Sequence, residues 1–339
     1  MIRSLVTGGA GFIGSHLAEV LLLTGRDVVI LDDLSTGNIR NLDDIRDHSR
    51  LHVVEGDVRN YCLLEKLVSE ADEVYHLAAA VGVKLVLDDP IRTASVNVGP
   101  TEAILRFIGG TSKKLFLAST SEVYGKNPKT PLSEEDDLLL GPSHRGRWIY
   151  ACSKALDEYL ALGYFRKTGL SVIIGRLFNV VGPRQVGDYG MVLPRFINQA
   201  LHGGPITVHD DGQQVRCFAN VTDVVRTIVE LMDCPEAVGK VVNLGSDEAI
   251  TIRQLAELVA ECVTPGVPIT HISYADEYGQ DFEDVRHRVP DLTRLRNLIG
   301  YRPAKTIRDT VLEVLEACKR ALPMARGVDD SRYGPHKRN

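Results

Sequence analysis

No Cys-x-x-Cys pair occurs in this sequence, and its six cysteines, Cys62, Cys152, Cys217, Cys234, Cys262 and Cys318, are scattered. That argues against a zinc site or a disulfide framework and fits buried thiols in a reducing compartment. No apolar run approaches the ~20 residues that a membrane span needs. No secretory leader precedes the first strand-like run, so the expected location is cytoplasmic. Positive charge is not in excess: 39 Lys and Arg face 45 Asp and Glu, a formal net charge of −6. A nucleic-acid partner is therefore not expected, and an anionic substrate has to be met by local arginines. Internal repeats are missing too. The one dense acidic run, Glu134-Glu135-Asp136-Asp137, reads as a solvated loop rather than a metal site, because nothing near it completes a ligand set. What remains is ordinary for a globular chain, 44% hydrophobic and 25% charged. Its 339 residues suffice for one large α/β domain with a smaller one beside it.

The first informative feature is Val6-Thr7-Gly8-Gly9-Ala10-Gly11-Phe12-Ile13-Gly14. Ile2–Val6 reads as a short apolar strand, and Phe12–Leu23 carries helical apolar spacing, so Gly8, Gly11 and Gly14 fall in a strand-to-helix turn. Small residues there let the backbone approach a pyrophosphate, which sits on the positive end of the helix. A second strand, Val28–Leu31, ends at Asp32, 24 residues beyond Gly8. An acid at about that distance accepts hydrogen bonds from an adenosine ribose. Asp32 and Asp33 together repel a 2′-phosphate, so the expected cofactor is NAD rather than NADP.

Strand-like runs recur at Leu51–Val54, Glu73–Leu77, Lys114–Ala118 and Ser171–Gly175. Helical patterns fill the gaps at Ile13–Thr24, Leu63–Ser69, Ile91–Ile108 and Tyr150–Lys167. This alternation predicts an α/β fold, a Rossmann-type doubly wound parallel sheet with helices on both faces. The NAD-binding domain is expected over 1–176, with return segments near 220–247 that include a strand at Val241–Leu244. A smaller C-terminal α/β substrate lobe is expected over 177–325, with helices at Leu193–Leu201, Val221–Met232, Ile252–Glu261 and Thr306–Arg320. Residues 326–339 read as a loose tail.

Tyr150 precedes Lys154 by one helical turn, so both project from one helix face. A nearby ammonium favours phenolate over phenol, which predicts a Tyr150 pKa lowered from about 10 toward neutrality. Such a phenolate can remove an alcohol proton as a hydride leaves for NAD. The segment Ser119-Thr120-Ser121-Glu122 ends a strand, where ligands sit in open α/β sheets.

With these features the chain closely resembles the extended short-chain dehydrogenases/reductases, and within them the enzymes that act on nucleotide sugars. The resemblance runs from Gly8 to about Arg320 and is carried by the glycine turn, Gly56-Asp57-Val58, His76-Leu77-Ala78-Ala79, Tyr150-x-x-x-Lys154 and Arg176-Leu177-Phe178-Asn179. It implies that Gly8, Gly11, Phe12, Ile13, Asp32, Asp33, Asp57, Val58, Leu77, Ala78, Ala79, Tyr150 and Lys154 line the cofactor site, with Asp57 and Val58 at the adenine. It also implies that Thr120, Asn179, Arg184, Val192, Arg195, Val208, Arg216 and Arg288 meet the UDP-sugar.

Within that family, Glu122 stands where 4-epimerases tend to carry a small residue and where dehydratases and UDP-glucuronate decarboxylases carry an acid. Arg145-Gly146-Arg147-Trp148-Ile149-Tyr150, Arg216-Cys217-Phe218 and Phe282-Glu283-Asp284-Val285-Arg286-His287-Arg288 look most like the decarboxylases. The expected activity is NAD-dependent decarboxylation of UDP-glucuronic acid through a C4 ketone, giving UDP-4-keto-pentose or UDP-xylose. Thr120, Ser121, Glu122, Tyr150, Lys154 and Arg288 are the expected catalytic set.

Other readings stay open at this stage. A 4-epimerase needs Tyr150 and Lys154 but not Glu122; a dehydratase of the common kind would show Asp where this chain has Ser121; a scaffold protein would need neither catalytic residue. Glu122 also fits a helix cap or loop acid, and Arg216 and the Arg286-His287-Arg288 run fit solvated basic surface. His76, Cys152 and Trp148 read as packing residues. The resemblance, with Leu156, Leu160, Leu162 and Phe165, further implies a homodimer in which Ile91–Ile108 and Tyr150–Lys167 form a four-helix bundle.

Overall fold

The computed structural model describes residues 1–187, 191–274, 276 and 285–325. The expected tail at 326–339 and residues 282–284 of the arginine-rich motif lie outside them. In chain order, β1 (Arg3–Thr7), α1 (Phe12–Leu23), β2 (Asp27–Asp32), β3 (Leu51–Glu55), α2 (Tyr61–Glu70) and β4 (Glu73–His76) come first. They are followed by α3 (Val83–Asp88), α4 (Pro90–Ile108), β5 (Lys114–Thr120), α5 (Trp148–Thr168) and β6 (Ser171–Leu177). Beyond them lie β7 (Val180–Val181), α6 (Val192–Leu201), β8 (Ile206–His209), β9 (Val215–Cys217), β10 (Ala219–Asn220) and α7 (Val221–Asp233). The remainder comprises β11 (Val241–Leu244), β12 (Ala249–Thr251), α8 (Ile252–Val263), β13 (Ile269–Ile272), β14 (His287–Arg288) and helices Thr293–Ile299 and Ile307–Ala325.

Seven strands form one parallel sheet in the order β3-β2-β1-β4-β5-β6-β11. Chain order reverses between β1 and β4, which opens a crevice at the strand carboxyl ends. Leu5, Val6, Val28, Ile30, Leu31, Val74, Tyr75, Phe116, Leu117, Val172 and Ile174 are fully buried, as continuous apolar strands covered on both faces must be. One core joins the sheet to α1 and α7 through Leu17, Leu21, Val224, Val225 and Ile228. The opposite core uses Leu64, Val68, Ala103, Ile104, Ile108 and Ala161 from α2, α4 and α5. Val221–Met232, grouped by its pattern with the lobe helices yet inside the expected return segment at 220–247, packs on the main sheet with α1 against its apolar face.

A third core unites α6, α8, β8 and the last helix around Leu193, Phe196, Ile197, Leu255, Val259 and Val311. Here β9 pairs with β12 and β14, and β8 with β13. The β14–β9 pairing sets Arg288 beside Arg216. Of the six thiols expected to be buried, Cys217 alone is: Cys62 and Cys152 are exposed, because their helices turn those positions outward, and Cys234, Cys262 and Cys318 are half-buried. Within the acidic run, Glu134 is not solvated; its side chain is tucked in and accepts the Asn243 backbone N–H at 2.8 Å.

Candidate active site

The crevice begins at the glycine turn. Gly8 has φ +72°, and a Cβ there would fall 2.8 Å from the Ala78 backbone nitrogen. A Cβ on Gly14 would lie only 2.2 Å from the Gly8 carbonyl oxygen, so α1 packs backbone to backbone against the turn that precedes it. Gly11 caps α1 without a side-chain hydrogen bond, leaving the N-terminal amides of the helix without a side-chain cap. Asp32 is buried at the end of β2, with Oδ2 accepting from Ala10 N at 2.9 Å and Oδ1 from Leu34 N at 2.9 Å. Burial pushes its carboxyl above the usual range. Each oxygen retains a further lone pair for a ligand hydroxyl.

Asp33 is exposed and accepts from Ser35. The Asp57 carboxylate is clasped by Arg59, with contacts of 3.0 Å and less. That clasp, above all, holds its carboxyl low. Val58 is buried behind it. Leu77, Ala78 and Ala79 follow β4 at the crevice edge, where Thr7 Oγ1 accepts from Ala78 N at 3.3 Å. His76 is the packing residue it was read as: it is buried, with Nδ1 2.7 Å from Thr7 Oγ1 and Nε2 3.2 Å from Thr101 Oγ1.

Past the crevice, a cleft opens between the sheet and the small lobe. Its walls include Glu122, Tyr150, Asn179, Val192, Arg195, Arg216 and Arg288. Glu122 enters it from a short 3-10 turn, Ser121–Tyr124, whose N-cap Thr120 accepts the Glu122 N–H at 3.2 Å. Arg288 Nη1 reaches across to Glu122 Oε1 at 3.5 Å. The Thr120 side chain also acts on the Tyr150 phenol, favouring its ionised form. Asn179 donates to the Cys217 carbonyl at 3.1 Å, which ties β6 to the lobe.

Two expected substrate residues are elsewhere. Arg184 points away from the cleft to Glu19 on α1 and to Asp44, because the chain turns at Gly182-Pro183 and Arg184 itself adopts φ +69°. Val208 is fully buried in the lobe core, since alternate residues of β8 face opposite ways and its neighbour His209 takes the cleft side. Ser121 is buried beneath Glu122 and does not line the cleft.

Tyr150 departs from the sequence expectation in its acidity. Burial, and next the Glu122 carboxylate, push its phenol up from the ordinary value, with Thr120 and Arg288 opposing more weakly. Lys154 is buried one turn along, and its Nζ donates to Asp157 Oδ2 at 3.1 Å. An i,i+4 spacing puts Lys154 on the same helix face, but desolvation of the phenol is the larger influence.

Sequence reasoning missed several wall residues. Arg147, quoted within a motif but given no role, lines the cleft beside Tyr150 and stacks over Trp148, which is buried against Gly141. His209 and Tyr274 stack at 4.6 Å and 12° across the mouth of the lobe. No local pattern joins residues so far apart; only the β8–β13 pairing does.

This cleft and crevice define a dinucleotide-dependent enzyme of the short-chain dehydrogenase/reductase kind. The GDP-mannose 4,6-dehydratase family profile matches residues 5–314. UDP-N-acetyl-α-D-glucosaminuronate decarboxylase of Bacillus cytotoxicus is 38% identical over 302 residues, 89% of this chain and 92% of that protein. UDP-glucuronic acid decarboxylase 1 of Xenopus tropicalis is 33% identical over 94% of this chain and 73% of that protein. Among solved structures, UDP-glucuronic acid 4-epimerase from Bacillus cereus in complex with NAD superposes with a TM-score of 0.82 at 27% identity, covering 94% of this chain and 99% of that one. The chain belongs to the GDP-mannose 4,6-dehydratase family of extended short-chain dehydrogenases/reductases.

Proposed function

We propose that the protein binds NAD and decarboxylates a UDP-hexuronate, with UDP-glucuronate as the substrate to test first. The single observation that carries this reading is the Glu122–Arg288 ion pair in the cleft of Tyr150, an acid and a guanidinium that a simple C4 epimerisation does not need. The decarboxylase relatives agree with it. The crevice fits a dinucleotide: glycines that leave no room for a Cβ, open helix N-terminal amides, and a buried carboxylate at the end of β2. Asp32 and Asp33 favour NAD over its 2′-phosphorylated form. NAD, when bound, supplies the acceptor and later the donor for the C4 hydrogen.

Tyr150 takes the proton of the sugar C4 hydroxyl, and Thr120 with Tyr150 holds the C4 oxygen as a carbonyl forms. The C6 carboxylate is then β to a ketone, so its carbon–carbon bond breaks with the electrons drawn into the C4 enolate and carbon dioxide released. Glu122 and Arg288, with an ordered water, deliver the proton that C5 needs. Lys154 holds the cofactor ribose. Asn179, Arg195 and Arg216 meet the diphosphate, for which guanidinium forks suit phosphate oxygens. The product is the UDP-4-keto-pentose, or UDP-xylose where C4 is reduced again before release.

The identity to a UDP-N-acetylglucosaminuronate decarboxylase favours a second reading, in which C2 carries an acetamido group. Parallel kcat/KM measurements with UDP-glucuronate and its 2-acetamido counterpart decide between them. The six unpaired cysteines agree with a cytoplasmic location. A homodimer through α4 and α5 completes the proposal: Leu156 and Tyr159, 45% and 65% exposed, form an apolar stripe on α5 that a two-fold partner would cover. Sedimentation at micromolar concentration tests it, with a monomer as the contrary result.

A further inference from the structure

Lys154 does not stand alone behind Tyr150. Its Nζ is bonded to Asp157 Oδ2 at 3.1 Å, one turn further along α5, and both side chains are almost wholly buried. The other carboxylate oxygen, Asp157 Oδ1, is buried with no hydrogen-bond partner. The Thr101 hydroxyl on α4 is near, but it donates to the Asn97 carbonyl at 2.8 Å. An ionised carboxylate in such a place is costly unless an adjacent cation holds it, so the pair is a single unit.

The surrounding groups leave that unit as the adjustable charge near Tyr150. His76, facing from β4, is kept neutral by burial, which lowers it to about 3. Glu158, next along α5, is taken up by Arg176 on β6 at 2.7 Å. Glu122 and Arg288, facing the phenol from the 3-10 turn and β14, form their own pair. Asp157 is left as the buried negative charge that both grips Lys154 and opposes phenolate formation at Tyr150.

We propose that Asp157 is a positioning residue for the Tyr150–Lys154 pair, seating the Lys154 ammonium and setting the pH at which Tyr150 gives up its proton. This rests on the reading of Tyr150 as the base. Removing its charge has one direct consequence at the phenol. The phenolate loses a repulsive neighbour, so Tyr150 ionises at lower pH.

The test is the near-ultraviolet phenolate titration of the NAD-bound protein, with Tyr150→Phe identifying the Tyr150 signal. In Asp157→Asn that signal moves to lower pH by roughly 0.5–1 unit, and the limb of the kcat profile that Tyr150 sets with UDP-glucuronate moves the same way. Asp157→Ala, a good helix former without the carboxylate, shifts in the same direction. An unmoved or raised Tyr150 titration, with only the amplitude of activity reduced, overturns the proposal. So does loss of folded protein in both variants, which would make Asp157 structural. If no UDP-hexuronate is turned over, the functional reading fails, yet the spectroscopic shift still decides the role of Asp157.

Discussion

Arg288 on β14 and Glu122 in the 3-10 turn that follows β5 form an ion pair of 3.5 Å across the cleft that contains Tyr150. The partners come from the two halves of the molecule, so the pair exists only when the small lobe is seated on the sheet. Glu122→Gln keeps the shape and removes the charge. It is expected to lower kcat by roughly 10²–10⁴-fold, the usual worth of a positioned proton donor, with NAD affinity unchanged. Arg288→Lys is expected to fall as well, since an ammonium cannot reproduce the planar fork. Steady-state rates beside calorimetric NAD titrations check both; wild-type rates in Glu122→Gln would demote Glu122 to a loop acid.

Tyr150→Phe removes only the phenol oxygen. Turnover is expected to drop by roughly 10²–10⁴-fold while NAD still binds and the protein melts as before. A variant that keeps most of its activity would show that another group takes the C4 hydroxyl proton.

Gly14→Ala tests the crevice without touching the cleft. The added methyl would sit 2.2 Å from the Gly8 carbonyl oxygen and 2.7 Å from Gly9 Cα, both backbone, so the turn has to open. Overpacking of this kind costs about 1–3 kcal/mol. NAD affinity is expected to weaken by about 10-fold or more, with a lower Tm. Unaltered NAD binding in calorimetry would contradict the placement of the pyrophosphate here.

His76 gives the fold a pH dependence. Burial lowers its pKa from 6.5 to about 3. Below pH 6.5 the unfolded chain takes up a proton that the folded chain refuses until about 3, so stability rises with pH within that window. Acidification from 6.5 toward 3 therefore weakens the fold, by up to about 1.4 kcal/mol per pH unit from this group. Urea midpoints measured between neutral pH and about pH 5 should fall more steeply for wild type than for His76→Gln. Parallel slopes would contradict a neutral His76.

Local order was the legible part of this chain. The glycine turn, Asp32 and the Tyr150–Lys154 spacing are set by neighbours within a strand or a helical turn; the first two lie at the crevice and Tyr150 in the cleft beyond it. Val241–Leu244 was readable as a strand because four residues without helical period return to β6. The short α3 was not readable, since Gly82 offers no capping side chain and the helix has 6 residues. Arg184 was misplaced because its direction depends on a left-handed backbone after Gly182-Pro183, which no periodicity records. The acidity of Tyr150 was misjudged for a related reason: the helix spacing shows Lys154, whereas the opposing burial and Glu122 come from tertiary packing. Asp157 stood in plain view three residues after Lys154, but only its complete burial makes it more than a helix-surface acid.

Mass spectrometry of the products formed from UDP-glucuronate and NAD by the purified protein tests the central claim most directly. Decarboxylation predicts a UDP-sugar lighter by the mass of carbon dioxide, as a ketopentose, a pentose or both. An isomer of unchanged mass, separable by chromatography, would contradict it and make the protein a 4-epimerase.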